Sequence, residues 1–136
     1  MRLYIFTVLF AAFSVLHAKQ FETRQSGNWT NSSTWKNGTI PIQNDSVVIL
    51  ANHAININKD SIVLNHLQLK GNIQFTNAYL LKSKVVECEN AISISSNYFM
   101  GTLYIDSLFD VKSACEIANV HLISKGLSSI SGTLLL

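Results

Sequence analysis

The sequence predicts an all-β fold. Three observations point to it: short segments in which apolar and polar residues alternate, polar or glycine corners every five to ten residues, and no long amphipathic helical pattern. The composition agrees, because thirteen asparagines and sixteen serines accompany many Ile, Leu and Val residues and a single proline. Periodicity alone allows a parallel β-helix and an antiparallel β-sandwich equally.

The first eighteen residues have the features of a secretory signal peptide. Met1 and Arg2 precede an apolar run from Leu3 to Leu16, and Ala18 offers a small residue for cleavage. The run is too short to span a membrane, which takes roughly 20 apolar residues. We therefore expect export, to the cell surface or the medium, and no membrane span after cleavage.

Residues 19–45 are assigned to an N-terminal cap. This segment holds both tryptophans, Trp29 and Trp35, and the only proline, Pro41. Asn37-Gly38 is a tight-turn signal, and the chain before Pro41 is pushed into extended geometry. The tryptophans have two interpretations: a platform on which sugar rings stack, or a plug that fills the open first coil, which we favour because large aromatics bury much apolar area.

Residues 46–136 are assigned to β coils. In residues 54–58 two isoleucines and two asparagines alternate, which is typical of a strand with one buried face. Further strands are predicted at 46–50, 79–81, 84–88, 91–95, 102–105, 115–123 and 130–136. Their spacing suits a coil of about twenty to twenty-five residues.

One stretch of about fifty residues resembles a known module. It runs G-N-W, S-T-W, N-G, I-P, N-D-S-V-V-I and N-H-A-I-N-I between positions 27 and 57, and continues to Phe75. This order is similar to the opening module of secreted right-handed parallel β-helix proteins, the eight-glycine-domain type common in Bacteroidetes-type surface proteins. The resemblance favours a right-handed parallel β-helix over the sandwich.

Two departures from that module lead to a backbone prediction. Where it usually has glycine, this chain has Asn44 and Asn52. Asparagine is one of the few other residues that tolerate positive φ, so we expect a left-handed corner at one or both positions.

The C-terminal segment ends in apolar residues without a polar cap, at Gly132-Thr133-Leu134-Leu135-Leu136. A solenoid must cover its last coil, because open edges and apolar faces associate. We expect either a truncated chain that continues into further coils or end-to-end self-association.

The two cysteines, Cys88 and Cys115, lie in predicted strands one coil apart. In an exported protein they allow a disulfide. Equally, they fit a stacked pair of small core residues.

Ionisable residues give weak catalytic signals. Glu87 and Glu89 share one strand face, and Asp106 and Asp110 lie near one another, as in a carboxylate pair that acts on glycosidic bonds. Solvated faces carry such pairs routinely, so we assign no catalytic residue. The mature histidines show no metal-ligand spacing, and we assign no metal or cofactor.

Several sequons cluster in the cap. Asn28, Asn31, Asn37 and Asn44 fit the N-glycosylation pattern. If the Bacteroidetes resemblance holds, Ser46, Ser61 and Ser107 follow that group's O-glycosylation pattern.

The function class follows from these features. The net charge is only +2, and the lysines are scattered singly, which argues against a nucleic-acid partner. We expect a non-enzymatic secreted or cell-surface module for structural support, adhesion or contact with an extracellular polysaccharide. The alternative is the N-terminal domain of a polysaccharide-degrading β-helix enzyme whose catalytic coils are absent.

Overall fold

A computed structural model describes residues 19–77, 79–97 and 101–136. The predicted signal peptide, residues 1–18, lies outside the described residues. The described chain forms a parallel β-solenoid of about four turns, with 61% of its residues in strands. This confirms the β-helix prediction and rules out the antiparallel sandwich.

The strands form two parallel sheets. The first sheet contains β1 (Gln20–Glu22), β3 (Ser46–Ile49), β5 (Ser61–Leu69), β7 (Leu80–Cys88), β9 (Gly101–Val111), β11 (Val120–Ser124) and β12 (Leu127–Ile130). The second contains β2 (Gly27–Asn28), β4 (Ala54–Ile57), β6 (Asn72–Phe75), β8 (Ile92–Ser96), β10 (Ala114–Ala118) and β13 (Thr133–Leu135). A 3₁₀ turn covers Ser32–Thr34.

Successive coils stack in register. Ile55 pairs with Ile73, and Ile92 pairs with Cys115, so these coils advance by 18 and 23 residues, close to the predicted interval. Strand β9 pairs with β11 through its first half and with β12 through its second half. Each long strand of the first sheet therefore supplies two sides of a coil, and the second sheet supplies another.

Stacked apolar side chains fill the solenoid. Ile55, Ile73, Ile94 and Ile117 stand above one another, and each is at most 4% exposed. Strand alternation turns every second side chain inward, and parallel register places equivalent side chains in contact. The core is therefore a set of ladders that run along the axis.

Left-handed asparagines turn the chain at three corners. Asn44 has φ +67° and Asn52 has φ +65°, which confirms the backbone prediction. Asn119, with φ +61°, was not predicted. It divides the strand expected at 115–123 into β10 and β11, so that prediction was wrong: a residue in left-handed geometry cannot continue an extended strand.

The prediction of a single strand at 130–136 was also wrong. Strand β12 ends at Ile130, and β13 begins at Thr133 after a corner. At this corner Gly132 packs directly on the backbone of Ser113, where a Cβ atom would clash. Close packing of the two backbones thus sets the position of this corner relative to the corner of the preceding coil.

The expected cap also contributes to the coils. Its strands β1 and β2 pair with β3 and β4. The part of the cap that follows β2, residues 29–45, forms what we call the lid. The Asp45 carboxylate secures the lid by accepting hydrogen bonds from the Lys19 and Ile42 amides at 3.2 and 2.8 Å. The Asp45 carbonyl accepts another from the Asn65 amide at 2.9 Å.

Candidate functional site

The two tryptophans close the N-terminal end of the core. Both are 0% exposed, and their rings meet edge to face with centroids 4.8 Å apart. Trp35 Nε1 donates a hydrogen bond to the Trp29 carbonyl at 3.0 Å. The plug interpretation therefore describes the structure. The sugar-stacking interpretation of Trp29 and Trp35 was wrong, because neither ring has a face open to a ligand.

A small cleft lies beside this plug. It has a volume of about 180 Å³, and its walls include Trp29, Pro41, Ile42, Lys59 and Ser61. Among the described residues, Trp29 Nε1 has no hydrogen-bond partner. Small-molecule sites usually measure about 300–1,000 Å³. The cleft is therefore too small for a sugar chain, and the buried indole nitrogen cannot be reached from it.

Charged side chains gather on the outer surface of the first sheet. Lys112 Nζ lies 3.8 Å from Glu87, 3.9 Å from Glu89 and 3.5 Å from Asp110. Glu87 and Glu89 thus share one face, as expected, and Asp110 joins them from the next coil. Lys112 offsets part of the negative charge of the three carboxylates, and Lys70, 3.5 Å from Glu89, offsets more, which is the usual arrangement of a solvated ion-pair network.

One carboxylate in this network has a perturbed pKa. A hydrogen bond from Gln68 Nε2, at 2.5 Å, lowers the pKa of Glu89 below its ordinary value, and Lys70 and Lys112 add to the effect. Glu89 is therefore held as a carboxylate. A general acid would need the opposite shift.

A second cluster of charged side chains surrounds Tyr104. Lys82 Nζ and Lys125 Nζ lie 4.8 and 5.4 Å from the centre of its ring. Lys82 also pairs with Asp106 at 3.2 Å. A hydrogen bond with Tyr104 raises the pKa of Lys125. Asp106 and Asp110 therefore belong to different ion pairs and do not form the carboxylate pair considered from the sequence.

The histidines are dispersed. His53 Nδ1 lies 2.7 Å from the Thr23 hydroxyl, and His66 Nε2 lies 3.2 Å from Glu87. His121 is exposed. Across 19–77, 79–97 and 101–136, no three His, Cys, Asp or Glu side chains are grouped so as to hold a metal ion.

The two cysteines are neighbours in the core. Cys88 and Cys115 are fully buried free thiols. A hydrogen bond with Cys115, together with burial, raises the pKa of Cys88. The thiol is therefore held protonated, which makes it a poor nucleophile. The contact agrees with both interpretations of the pair, and the disulfide stays a prediction.

The sequons lie at the surface, as loops that accept glycans do. Asn28, Asn31, Asn37 and Asn44 are exposed, as are Ser61 and Ser107, while Ser46 is half-buried. The Asn31 side chain already makes hydrogen bonds, because its Oδ1 accepts from the Ser33 amide and hydroxyl at 3.0 and 2.9 Å. Glycosylation at these residues stays a prediction.

The C-terminal end of the solenoid is open. Four large apolar side chains are at least half exposed there: Leu127 (80%), Ile130 (50%), Leu135 (56%) and Leu136 (84%). Their last coil has no neighbour beyond it among the described residues. This surface has the apolar character expected of the C-terminal segment.

Comparison with known proteins gives no assignment: no family model, characterised protein or solved structure matches the chain. The described residues also contain no helix with the length and hydropathy needed to span a membrane.

Proposed function

We propose that this protein is a non-enzymatic, exported β-solenoid module that gives structural support or adhesion at a surface by contacting extracellular polysaccharide. One observation carries the proposal: a continuous core closed at one end by the lid. Such a core makes a stiff rod whose outward side chains form rows, about 4.8 Å apart from coil to coil. Rows of this kind suit repeated contacts with an extended polymer.

The lid and first coils belong, in this proposal, to the eight-glycine-like type of module. The support is the left-handed backbone at Asn44 and Asn52, the positions where that module usually has glycine. Substituting each by glycine tests the point, because glycine adopts positive φ without steric cost. Unchanged thermal stability in both glycine variants is expected, and a clear loss would contradict the alignment.

Export is the second part of the proposal. Expression of the full chain in a secreting host should release a protein that begins at or near Lys19, and intact mass of the secreted material measures this. The same mass spectrum reports added hexose or N-acetylhexosamine, and a peptide digest assigns each addition to an asparagine or serine. A chain that keeps residues 1–18 would contradict the export proposal.

An enzyme domain is the alternative. The presence of Glu87, Glu89 and Asp110 on adjacent coils is the observation that favours it, because paired carboxylates can act on glycosidic bonds. Incubation with polysaccharides, followed by a reducing-end assay, separates the two functions. The module should bind without releasing ends, whereas release that disappears in Glu87→Gln would establish the enzyme.

The open C-terminal end belongs to the same proposal. It is covered either by a second copy of the chain or by further coils, because exposed apolar residues and unpaired strand edges favour association. Light scattering across a concentration series distinguishes these occupants. Dimers or longer assemblies support self-association, and a monomer at all concentrations would exclude it.

A further inference from the structure

One outer surface of the solenoid differs from the rest in its chemistry. We call the outward side of β2, β4, β6 and β8 the amide face. Asn28, Asn56, Gln74 and Ser95 stand in register across these four strands. Asn56, Gln74 and Ser95 project away from the core, since the residues on either side of each are buried, and Asn28 is itself exposed beside the buried Trp29. The row is therefore a ladder of amides and a hydroxyl that crosses four coils.

The amide face carries no charge. None of the four strands contains an ionisable residue. The ion-pair network around Lys112 and the pairs around Tyr104 lie instead on the first sheet and its corners. On the second sheet, the nearest carboxylate in a described strand is Glu116, in β10. The protein thus separates a charged surface from a neutral one.

The amides are held in place by one another. Asn56 Nδ2 donates to Asn28 Oδ1 at 3.2 Å, and Gln74 Nε2 donates to Asn97 Oδ1 at 2.7 Å. In a neighbouring row, Asn58 Nδ2 donates to Thr30 Oγ1 at 2.8 Å. A carboxamide has two N–H donors and an oxygen with two lone pairs. One such bond fixes the side chain and leaves hydrogen-bonding capacity directed to solvent.

This arrangement fits a hydroxyl-rich partner without charge. Sugar hydroxyls both donate and accept, as do fixed amides. A coil spacing of about 4.8 Å is close to the length of one sugar unit along a glycan, so successive sugars can meet successive coils. Anionic glycans fit poorly, because these strands offer no lysine or arginine to pair with carboxylate or sulfate.

We infer that the amide face binds an uncharged polysaccharide chain laid across the coils, which specifies the surface and ligand class of the carbohydrate contact proposed above and rests on that proposal. No aromatic side chain projects from the described part of these strands to stack on a sugar. Each contact is therefore weak, and binding depends on many contacts made by one polymer. Short oligosaccharides should bind poorly.

The test uses the mature chain and a variant that removes two amides, Asn56→Val with Gln74→Val. Valine is favoured in strands, so the coils should keep their structure, and circular dichroism with thermal melting checks this. Gln68→Val is the matched control, since Gln68 is also an outward, half-buried glutamine but lies on the charged first sheet. The probes are neutral polymers (dextran, mannan, laminarin), anionic polymers (polygalacturonate, hyaluronate) and a neutral tetrasaccharide.

Affinity electrophoresis should show retardation by at least one neutral polymer and by neither anionic polymer, and the tetrasaccharide should not compete at millimolar concentration. The double variant should lose affinity by about tenfold or more, whereas Gln68→Val should change it less than about twofold. If the double variant still binds a neutral polymer, or if only anionic polymers bind, the amide face is not the binding surface, although the protein still binds carbohydrate. The absence of binding to every polymer would overturn both.

Discussion

Large apolar side chains are buried at one end of the solenoid and exposed at the other. At the N-terminal end, the lid covers the first coil, and Trp29 and Trp35 are fully buried. At the C-terminal end, Ile130 continues a ladder through Val111, which is 0% exposed, yet Ile130 itself is 50% exposed. Burial in this fold is thus decided by the neighbouring coil as well as by the inward direction of a side chain.

The covered and the open end should differ in stability. Each coil is stabilised mainly by the coils it contacts, so a terminal coil without a cover has about half of the favourable interface of an inner coil. The lid replaces the missing neighbour with two large aromatic rings. Stability should therefore be high at the lid and should fall toward β11, β12 and β13.

Removing the plug should have the largest effect. Trp35→Ala deletes a fully buried ring and its hydrogen bond to Trp29, and large-to-small core substitutions of this kind cost about 3–5 kcal/mol. The matched change at the open end is Leu134→Ala, a half-buried residue, for which we expect about 1 kcal/mol. Urea unfolding followed by circular dichroism measures both, and equal losses would remove the distinction between the ends.

Charging the open end should have the next largest effect, on association. Ile130→Lys places a charge within the apolar end surface and should lower the dimer fraction seen by sedimentation velocity, because burying an unpaired charge is costly. Ile42→Lys is the control, since Ile42 is also exposed (64%) but lies in the lid. If both variants reduce association equally, the open end is not the contact surface.

Substitutions at the left-handed corners should lower the stability moderately, by an amount that depends on the position of the corner along the solenoid. Valine at Asn52 or Asn119 must adopt positive φ, at a cost of about 1–2 kcal/mol. Asn52 lies between inner coils, so its variant should show the full cost. Asn119 precedes the last coil, which can unfold locally, so the measured loss should be smaller. Thermal melting compares the two, and a greater loss at Asn119 would contradict the stability gradient.

The smallest effect is expected between the ends, at Glu89. Its lowered pKa means that the carboxylate contributes stability above the ordinary value of 4.5 and loses that contribution as the pH falls through the lower folded pKa. Glu89→Gln should therefore cost at most about 1 kcal/mol near pH 7 and nothing once the wild-type carboxyl is protonated. Urea midpoints measured from pH 7 to pH 3 give this difference, and a gap that widens in acid would contradict the assignment.

Particular residues show what the sequence could predict. Asn44 and Asn52 identified two left-handed corners, because they stand where the resembling module has glycine and asparagine tolerates the same geometry. The tryptophans of the lid were correctly interpreted as a plug from their size and their place before the first full strand. Asn119 lies outside the stretch that resembles the module, and the apolar residues on either side of it suggested a single strand.

Other features depend on contacts that a single sequence does not contain. Alternation is the same in parallel and antiparallel sheets, so the topology came from a resemblance and not from periodicity. The amide face was missed because its members are 18 to 28 residues apart in the chain and become one row only through the register of β2, β4, β6 and β8. The Lys112 network likewise joins residues from two coils.

Amide hydrogen exchange resolved along the chain compares the stability of the lid with that of the last coil. We expect slow exchange for the backbone amides of Trp29 and Asn65, which donate to Asn56 and Asp45 where the lid meets the coils, and fast exchange throughout β12 and β13. Exchange of the Trp29 and Asn65 amides as fast as that of β12 and β13 would contradict a solenoid closed at its N-terminal end and open at the other.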